Sequence, residues 1–449
     1  MQLRFERGTI RIAGNLRVPC SVWDERSRTF RAMALHYRDI IEFLRSSGID
    51  FKDEVMDLLP CPRLQSRIVL RDYQREALDA WVANGKRGVI VLPTGSGKTL
   101  LGIKAIEMLN TPTIVVAPTI DLVMQWRSRL REEFGADVGV LGGGLRDVKA
   151  LTVSTYDSAY IHAEHLGNRF GFIIFDEVHH LPAAGYRSIA EMFASPWRMG
   201  LTATYEREDG LHEELNRLVG GRVFEKRVKE LTGTHLAPFR IERIVVEMND
   251  QEREEYEANQ RIFLNYLAGA NLKMRGPADF QKLVMRSGRD PNARRALLAK
   301  NRARDIAYNS SSKLDALAEI LKKHSSSRIF IFTEHNRLVH QISRRFLIPA
   351  ITHRTPGKER SEILERFSSG VYRAVVTSRV LDEGIDVTDA DVGIILSGTG
   401  SRRAFVQRLG RILRKRDGKE AVLYEIVSAD TNEIRTSHRR KQALKIQTD

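Results

Sequence analysis

Apolar and polar positions divide the chain into stretches of different rhythm. From about residue 65, short apolar blocks alternate with helical spacing: Gly88 to Leu92, Thr113 to Ala117, Ala150 to Ser154 and Phe172 to Phe175. That alternation is the βαβ pattern of a parallel sheet with helices on both faces. A second series uses Arg328 to Phe332, Ala374 to Thr377, Val392 to Leu396 and Ala421 to Ile426. Between about 250 and 310 strand signals vanish. There a helical pattern opens on an acidic first turn, Asp250, Glu252, Glu254 and Glu255, which suits a helix N-terminus. Ahead of all this, basic β-rich runs (Gln2 to Ile12, Arg17 to Trp23, Thr29 to Ala34) precede an amphipathic helix at Tyr37 to Ser46, closed by Gly48, Pro60 and Pro62. The expected organisation is a small α+β module at 1–60, an α/β domain at 61–232, and a second α/β domain at 233–449 containing a helical insertion at 250–310.

At 449 residues the chain has room for about three domains. Its apolar blocks are strand-sized, well short of the ~18 residues of a membrane helix. The first ten residues carry Arg4, Glu6 and Arg7 with no apolar run behind them, unlike a secretory signal, so an intracellular protein is expected, cytoplasmic and nucleoid-associated in a prokaryote and nuclear in a eukaryote. Two cysteines, Cys20 and Cys61, build neither a disulfide framework nor a cysteine-rich zinc cluster. Lysine and arginine number 72 against 57 acids, a net charge of +15. That excess marks a polyanion binder and leaves nucleic acid and anionic lipid both open.

Leu92-Pro93-Thr94-Gly95-Ser96-Gly97-Lys98-Thr99 follows one apolar block and opens a helix, the context of a P-loop. Gly95 and Gly97 let backbone N–H groups, with those of Thr94 and Ser96, turn toward phosphate oxygens; Lys98 reaches the β and γ phosphates, and Thr99 holds Mg²⁺. The strict pattern asks for glycine where Leu92 stands. A strand then ends in Asp176-Glu177. At the carboxyl end of a parallel strand, Asp176 suits the Mg²⁺ shell and Glu177 the deprotonation of a water.

With these in order, the chain from about 67 onward resembles the superfamily 2 helicases. Arg71 and Gln74 in Leu70-Arg71-Asp72-Tyr73-Gln74 resemble the adenine-reading segment. Ala117-Pro118-Thr119 and Thr155-Tyr156 resemble strand-gripping loops, and Leu201-Thr202-Ala203-Thr204 resembles the motif coupling ATP state to domain closure. Further on, Val380 to Asp386 resembles the loop touching nucleotide and nucleic acid, which implies roles for Gly384 and Asp386. Gln407 to Arg414 resembles the arginine-finger motif, implying catalytic Gln407, Arg411 and Arg414. Arg411 and Arg414 also share one helix face by their spacing. Asp-Glu-Val-His at 176–179, Arg207-Glu208-Asp209, the helical insertion and the N-terminal module resemble the XPB family within that superfamily. The resemblance implies two RecA-like motor domains, ATP and Mg²⁺, DNA opening with 3′ to 5′ polarity in repair or transcription, damage recognition by 1–60, and a thumb-like insertion. It also implies Arg207, Glu208 and Asp209 in DNA opening, a relay role for His179, and repair nucleases or transcription proteins as partners of a monomeric motor.

From Asn271 to Arg304 ten Lys or Arg face two acids, more than half of the chain's net charge. Lys273, Arg275, Lys282, Arg286, Arg294 and Arg295 are therefore expected to meet phosphates. Trp23, Phe30 and Tyr37 are read as the core of the first module, with base stacking as the alternative. Two other functions stay open on the residues alone: an ATP-switched DNA-binding module without net unwinding, and an RNA helicase.

Overall fold

The computed structural model describes residues 1–14, 16–207, 209–231, 239–274, 276–378, 390–397 and 421–438. Among them, Met1–Leu231 form one compact unit and the residues from Phe239 onward another.

The first unit opens with strands β1 (Gln2–Glu6), β2 (Thr9–Ala13), β3 (Val22–Asp24) and β4 (Thr29–Met33), helix α1 (Tyr37–Ser46) and strand β5 (Lys52–Glu54), in sheet order β3-β4-β2-β1-β5. Alternate apolar positions, Leu3, Ile10 and Ile12, meet Ile40 and Leu44 of α1 in a closed core. Phe30 and Tyr37 pack against it, but Trp23 does not belong to it. On the edge strand β3 Trp23 is 44% exposed, touching Phe30 edge-on with ring centres 5.1 Å apart. This sheet is joined to the α/β domain by apolar and polar contacts. Leu35 enters the core of that domain, Ala194 of the domain enters the core of the sheet, Asn168 Nδ2 donates to the Val55 carbonyl at 2.9 Å, and Arg169 pairs with Asp57.

The α/β part runs α2 (Asp72–Ala83), β6 (Arg87–Val91), α3 (Lys98–Leu109), β7 (Thr113–Ala117), α4 (Ile120–Phe134), β8 (Val138–Gly142), β9 (Leu145–Arg146), β10 (Leu151–Thr155), α5 (Tyr156–Leu166), β11 (Phe172–Asp176), α6 (Arg187–Met192), β12 (Trp197–Thr202), α7 (Glu214–Leu218), β13 (Arg222–Glu225) and α8 (Val228–Leu231). The sheet order is β13-β6-β12-β11-β7-β10-β8-β9, parallel throughout except for the β8/β9 hairpin. Strands buried on both faces read as continuous apolar runs, which is why β7 and β11 are legible in the sequence. Strand β12 is not, because Arg198 interrupts it. That guanidinium is fully buried: Nη1 donates to the Ala190 and Leu218 carbonyls at 2.8 and 2.9 Å, Nε to Ser195 at 3.2 Å, and Nη2 to Phe193. Ala190 and Leu218 lie in the last turns of α6 and α7, where carbonyls lack partners within the helix and a cation is favoured.

The second unit begins with β14 (Phe239–Val246), followed by α9 (Asp250–Gly269), α10 (Pro277–Ser287) and α11 (Pro291–Tyr308). An Asn249/Glu252 capping box starts α9, and buried Ala293, Ala296, Ala299, Ala303 and Ala307 let α11 lie close along it. Then come α12 (Ser311–Lys323), β15 (Ile329–Phe332), α13 (Asn336–Phe346), β16 (Ala350–Ile351), α14 (Gly357–Ser368), β17 (Ala374–Thr377), β18 (Val392–Ile395) and β19 (Ala421–Ser428). The sheet order is β14-β19-β18-β15-β17-β16, and every pairing in it is parallel. Buried Lys313 of α12 anchors this unit, donating to Glu433 Oε2 at 2.6 Å and to the Leu396 carbonyl at 2.9 Å.

Arg198→Met keeps the volume and removes the donors. It is expected to lower unfolding free energy by about 3 kcal/mol or more, since several carbonyls lose buried partners together, as read from urea denaturation.

Candidate functional site

The loop between β6 and α3 turns on Gly95 and Gly97, both left-handed with φ of 83° and 82°. A side chain at Gly97 would also strike Gln74, whose Nε2 lies 2.5 Å from the Cβ position. This contact shows what the Arg71–Gln74 segment does. Tyr73 Oη donates to the Ser96 carbonyl at 2.6 Å, Gln74 Nε2 donates to the same carbonyl at 2.8 Å, and Gln74 Oε1 accepts from Arg71 N at 2.9 Å. Both ends of the buried Gln74 amide are thus bonded to the protein's own backbone. The expected paired contact with adenine needs these bonds exchanged. Arg71 is the exposed N-cap of α2.

Lys98, first residue of α3, reaches back so that Nζ donates to the Leu92 carbonyl at 3.0 Å. Thr99 follows in the same turn, half-buried. Thr94 Oγ1 is buried and without a hydrogen-bond partner. A left-handed glycine pair, a lysine, the helix N-terminus and this hydroxyl together fit a polyphosphate.

Opposite the loop, β11 delivers Asp176, only 6% exposed. Trp126 Nε1 of α4 donates to its Oδ2 at 2.8 Å and Glu177 N to its Oδ1 at 3.0 Å. Burial pushes this carboxyl above its ordinary range, and the Trp126 hydrogen bond and the Lys98 charge oppose that. A carboxylate kept against such a desolvation cost suits a divalent cation. Trp126 gives no sign of this role in the sequence, because an aromatic inside an amphipathic helix reads as core. Glu177 has φ +48°, a left-handed residue other than glycine. The turn after it places the buried His179, whose Nδ1 lies 3.0 Å from Thr202 Oγ1 and 3.3 Å from Glu177 Oε2. Thr202 Oγ1 in turn donates to the Thr204 carbonyl at 2.9 Å.

Along the same sheet edge, Thr119, after Pro118, caps α4 by accepting from Leu122 N at 3.4 Å, and Thr155 caps α5 by accepting from Ser158 N at 3.2 Å. Beside them comes the Gly142-Gly143-Gly144 turn, with three positive φ angles. A side chain at Gly142 would meet Thr155, and one at Gly143 would meet Ile120. Two helix N-termini and a bare glycine turn make a surface a phosphate backbone can approach closely. The run of three glycines is the signal in the sequence by which this turn could have been found.

Arg207 and Asp209 form a bidentate pair, Nε to Oδ1 at 2.9 Å and Nη2 to Oδ2 at 2.6 Å, and Arg207 Nη1 donates to the His179 carbonyl. In the helical insertion Lys282 pairs with Asp279 at 3.7 Å, Arg286 with Asp290 at 3.4 Å, and Arg302 with Glu255 at 3.3 Å. Such exposed pairs are worth only about 0.5 kcal/mol and yield to a phosphate. Lys273, Arg294 and Arg295 are exposed. Lys300 is half-buried over the Phe280 ring at 4.2 Å and the Phe263 ring at 5.1 Å, so it braces the helices. Glu208, Arg275, Gly384, Asp386, Gln407, Arg411 and Arg414 lie outside the described residues.

Residues 3–55 match the Xeroderma pigmentosum group B helicase damage recognition domain, 67–207 the type III restriction enzyme res subunit, and 312–416 the helicase conserved C-terminal domain. The chain is 44% identical over 440 residues to the DNA 3'-5' translocase XPB2 of Sulfurisphaera tokodaii, covering 98% of this chain and 99% of that one. The chain belongs to the XPB family. Its likeness to the family's DNA 3'-5' helicase XPB from Mycobacterium tuberculosis is 30% over 389 residues, 84% of this chain and 63% of that one. The Saccharomyces cerevisiae XPB/SSL2, a helicase/translocase subunit of general transcription and DNA repair factor IIH, is 29% identical over 84% of this chain and 43% of its own. The chain therefore spans nearly all of its archaeal XPB relative and smaller parts of the bacterial and yeast ones. In fold it resembles the Pyrococcus furiosus Hef helicase domain, with a TM-score of 0.53 at 20% identity over 83% of this chain and 98% of that one. The chain is an ATP-using helicase-type motor with two α/β units. No helix among the described residues is long and apolar enough to cross a membrane.

Because burial raises the Asp176 carboxyl, its charge destabilises the fold at neutral pH. Asp176→Asn turns an amide NH2 toward one of the two N–H donors that Asp176 accepts, a cost that does not vary with pH, so the pH profile carries the prediction. In urea denaturation the stability of Asp176→Asn relative to the native chain is expected to fall as pH is lowered from 7 through the raised value, and to level off below the ordinary carboxylate range, where the native side chain is protonated.

Proposed function

We propose that this protein is an ATP-driven motor that moves 3′ to 5′ on DNA and opens duplexes in repair or transcription. The observation that carries this reading is the convergence, on one edge of one parallel sheet, of Lys98, Asp176 and Glu177 with the Thr119 and Thr155 helix caps. Nucleotide chemistry and strand contact then share the same loops.

Magnesium-bound ATP supplies the transferable phosphoryl group and the charge-neutralising cation, and Thr99 and Asp176 are the residues that would hold the metal. Lys98 neutralises the phosphates. Glu177 orients a water and takes its proton, and Arg411 and Arg414, by resemblance to the family's motif, face the charge that spreads over the transferring group. Thr119, Thr155 and the Gly142–Gly144 turn hold the sugar-phosphate backbone without reading sequence, and the basic faces of α10 and α11 add affinity. Adenine recognition by Gln74 would exchange its Nε2 bond to the Ser96 carbonyl and its Oε1 bond from Arg71 N for bonds to the base, while Tyr73 Oη keeps the Ser96 carbonyl satisfied. The motor acts as a monomer in the cytoplasm, with repair or transcription proteins as partners.

Displacement of a third strand from a DNA triplex with a single-stranded track tests this. The protein is expected to displace it with ATP from a track of one polarity, 3′ to 5′, and Lys98→Ala to lose displacement and hydrolysis while still binding DNA. An ATP-dependent change in DNA affinity with no displacement on either polarity would replace the motor by a binding switch.

A further inference from the structure

The geometry points to Arg207 as a positioning residue for ATP hydrolysis, oriented by Asp209, and not as a contact to the DNA strand. This rests on reading Glu177 as the hydrolytic base. Glu177 sits in a left-handed conformation that residues with a Cβ adopt at a cost, and such a pose persists only where its surroundings over-determine it.

Two restraints meet two residues further on. The His179 ring, 1% exposed, is held against Thr202 Oγ1 at 3.0 Å and faces Glu177 Oε2 at 3.3 Å. The His179 main chain is held by the Arg207 guanidinium, which donates from Nη1 to its carbonyl. Ring and backbone of the same residue are thus fixed from β12 and from the segment after it, and the turn between them and Asp176 has little freedom left.

The Arg207 guanidinium donates a hydrogen bond within the protein from each of its three nitrogens. Its other face is taken by both carboxylate oxygens of Asp209, and the side chain is only 21% exposed. Asp209 is held below the ordinary range, at about 2, by that guanidinium. It also accepts from Leu211 N at 3.2 Å, which ties the strut to the next turn. A strand-gripping arginine keeps its donors free for phosphate, and here Nε and Nη2 are engaged by Asp209 and Nη1 by the His179 carbonyl. Asp209, Arg207 and His179 thus form a bonded chain that ends at the Glu177 turn.

The test measures ATP hydrolysis without DNA, DNA affinity, and melting temperature for Arg207→Gln, Arg207→Lys and Asp209→Asn in the full chain. Arg207→Gln is expected to lower kcat about tenfold or more through misplacement of the base, with KM for ATP, DNA affinity and its salt dependence unchanged. Arg207→Lys keeps one donor for the His179 carbonyl and is expected to recover part of kcat, and Asp209→Asn to lose less than Arg207→Gln. A normal DNA-free kcat with weakened DNA binding and a shallower salt dependence would overturn the proposal, and so would a kcat loss that merely tracks melting temperature across the three variants. Glu177→Gln separates the two readings: if it hydrolyses ATP normally, the assignment of the base has failed, whatever Arg207 does.

Discussion

One register governs the first unit. Because β6, β12, β11, β7 and β10 run parallel, every one of their carboxyl ends lies at the same edge, and the loops that leave them are neighbours. The P-loop, Asp176-Glu177, the Thr202-Thr204 turn, Thr119 and Thr155 are far apart in the chain and become adjacent for this reason alone. A slip of one strand by one residue would reverse the faces of its side chains. Asp176 would then lose its hydrogen bond from Trp126.

That register is held from the far side. Arg198 in β12 closes the ends of α6 and α7 with its guanidinium, and the segment just after α6 packs against the N-terminal sheet through Ala194. The N-terminal sheet therefore buttresses the strand that carries Thr202. Its cohesion with the α/β part is apolar at Leu35 and Ala194 and polar at Asn168 and Asp57. Residues 1–231 form one compact unit even though their sequence reads as a module and a domain.

Much of the frame is legible in the sequence. Strands that are apolar on both faces, such as Thr113–Ala117 and Ala374–Thr377, stand at the ends their apolar blocks predict, and so does the amphipathic helix Tyr37–Ser46. Two strands that lack a continuous apolar block are not: Trp197–Thr202 is interrupted by Arg198, and Lys52–Glu54 is a short charged edge. The site is legible as motifs, because its glycines, lysine and carboxylates stand at fixed local spacings. Its supporting contacts are hidden. Gln74 meets Ser96, Trp126 meets Asp176, and Arg207 meets His179 only through the sheet, and no local pattern announces such partners. Trp23 illustrates the opposite error, an aromatic assigned to a core that leaves it at the edge.

The central claim is that one sheet edge couples nucleotide hydrolysis to the backbone of DNA. Steady-state ATP hydrolysis by the full chain, measured without nucleic acid and with single-stranded, duplex and forked DNA or RNA at two salt concentrations, tests it most directly. Stimulation by DNA over RNA, falling as salt screens the phosphate contacts, is expected. Equal or greater stimulation by RNA, or none by any nucleic acid, would contradict it.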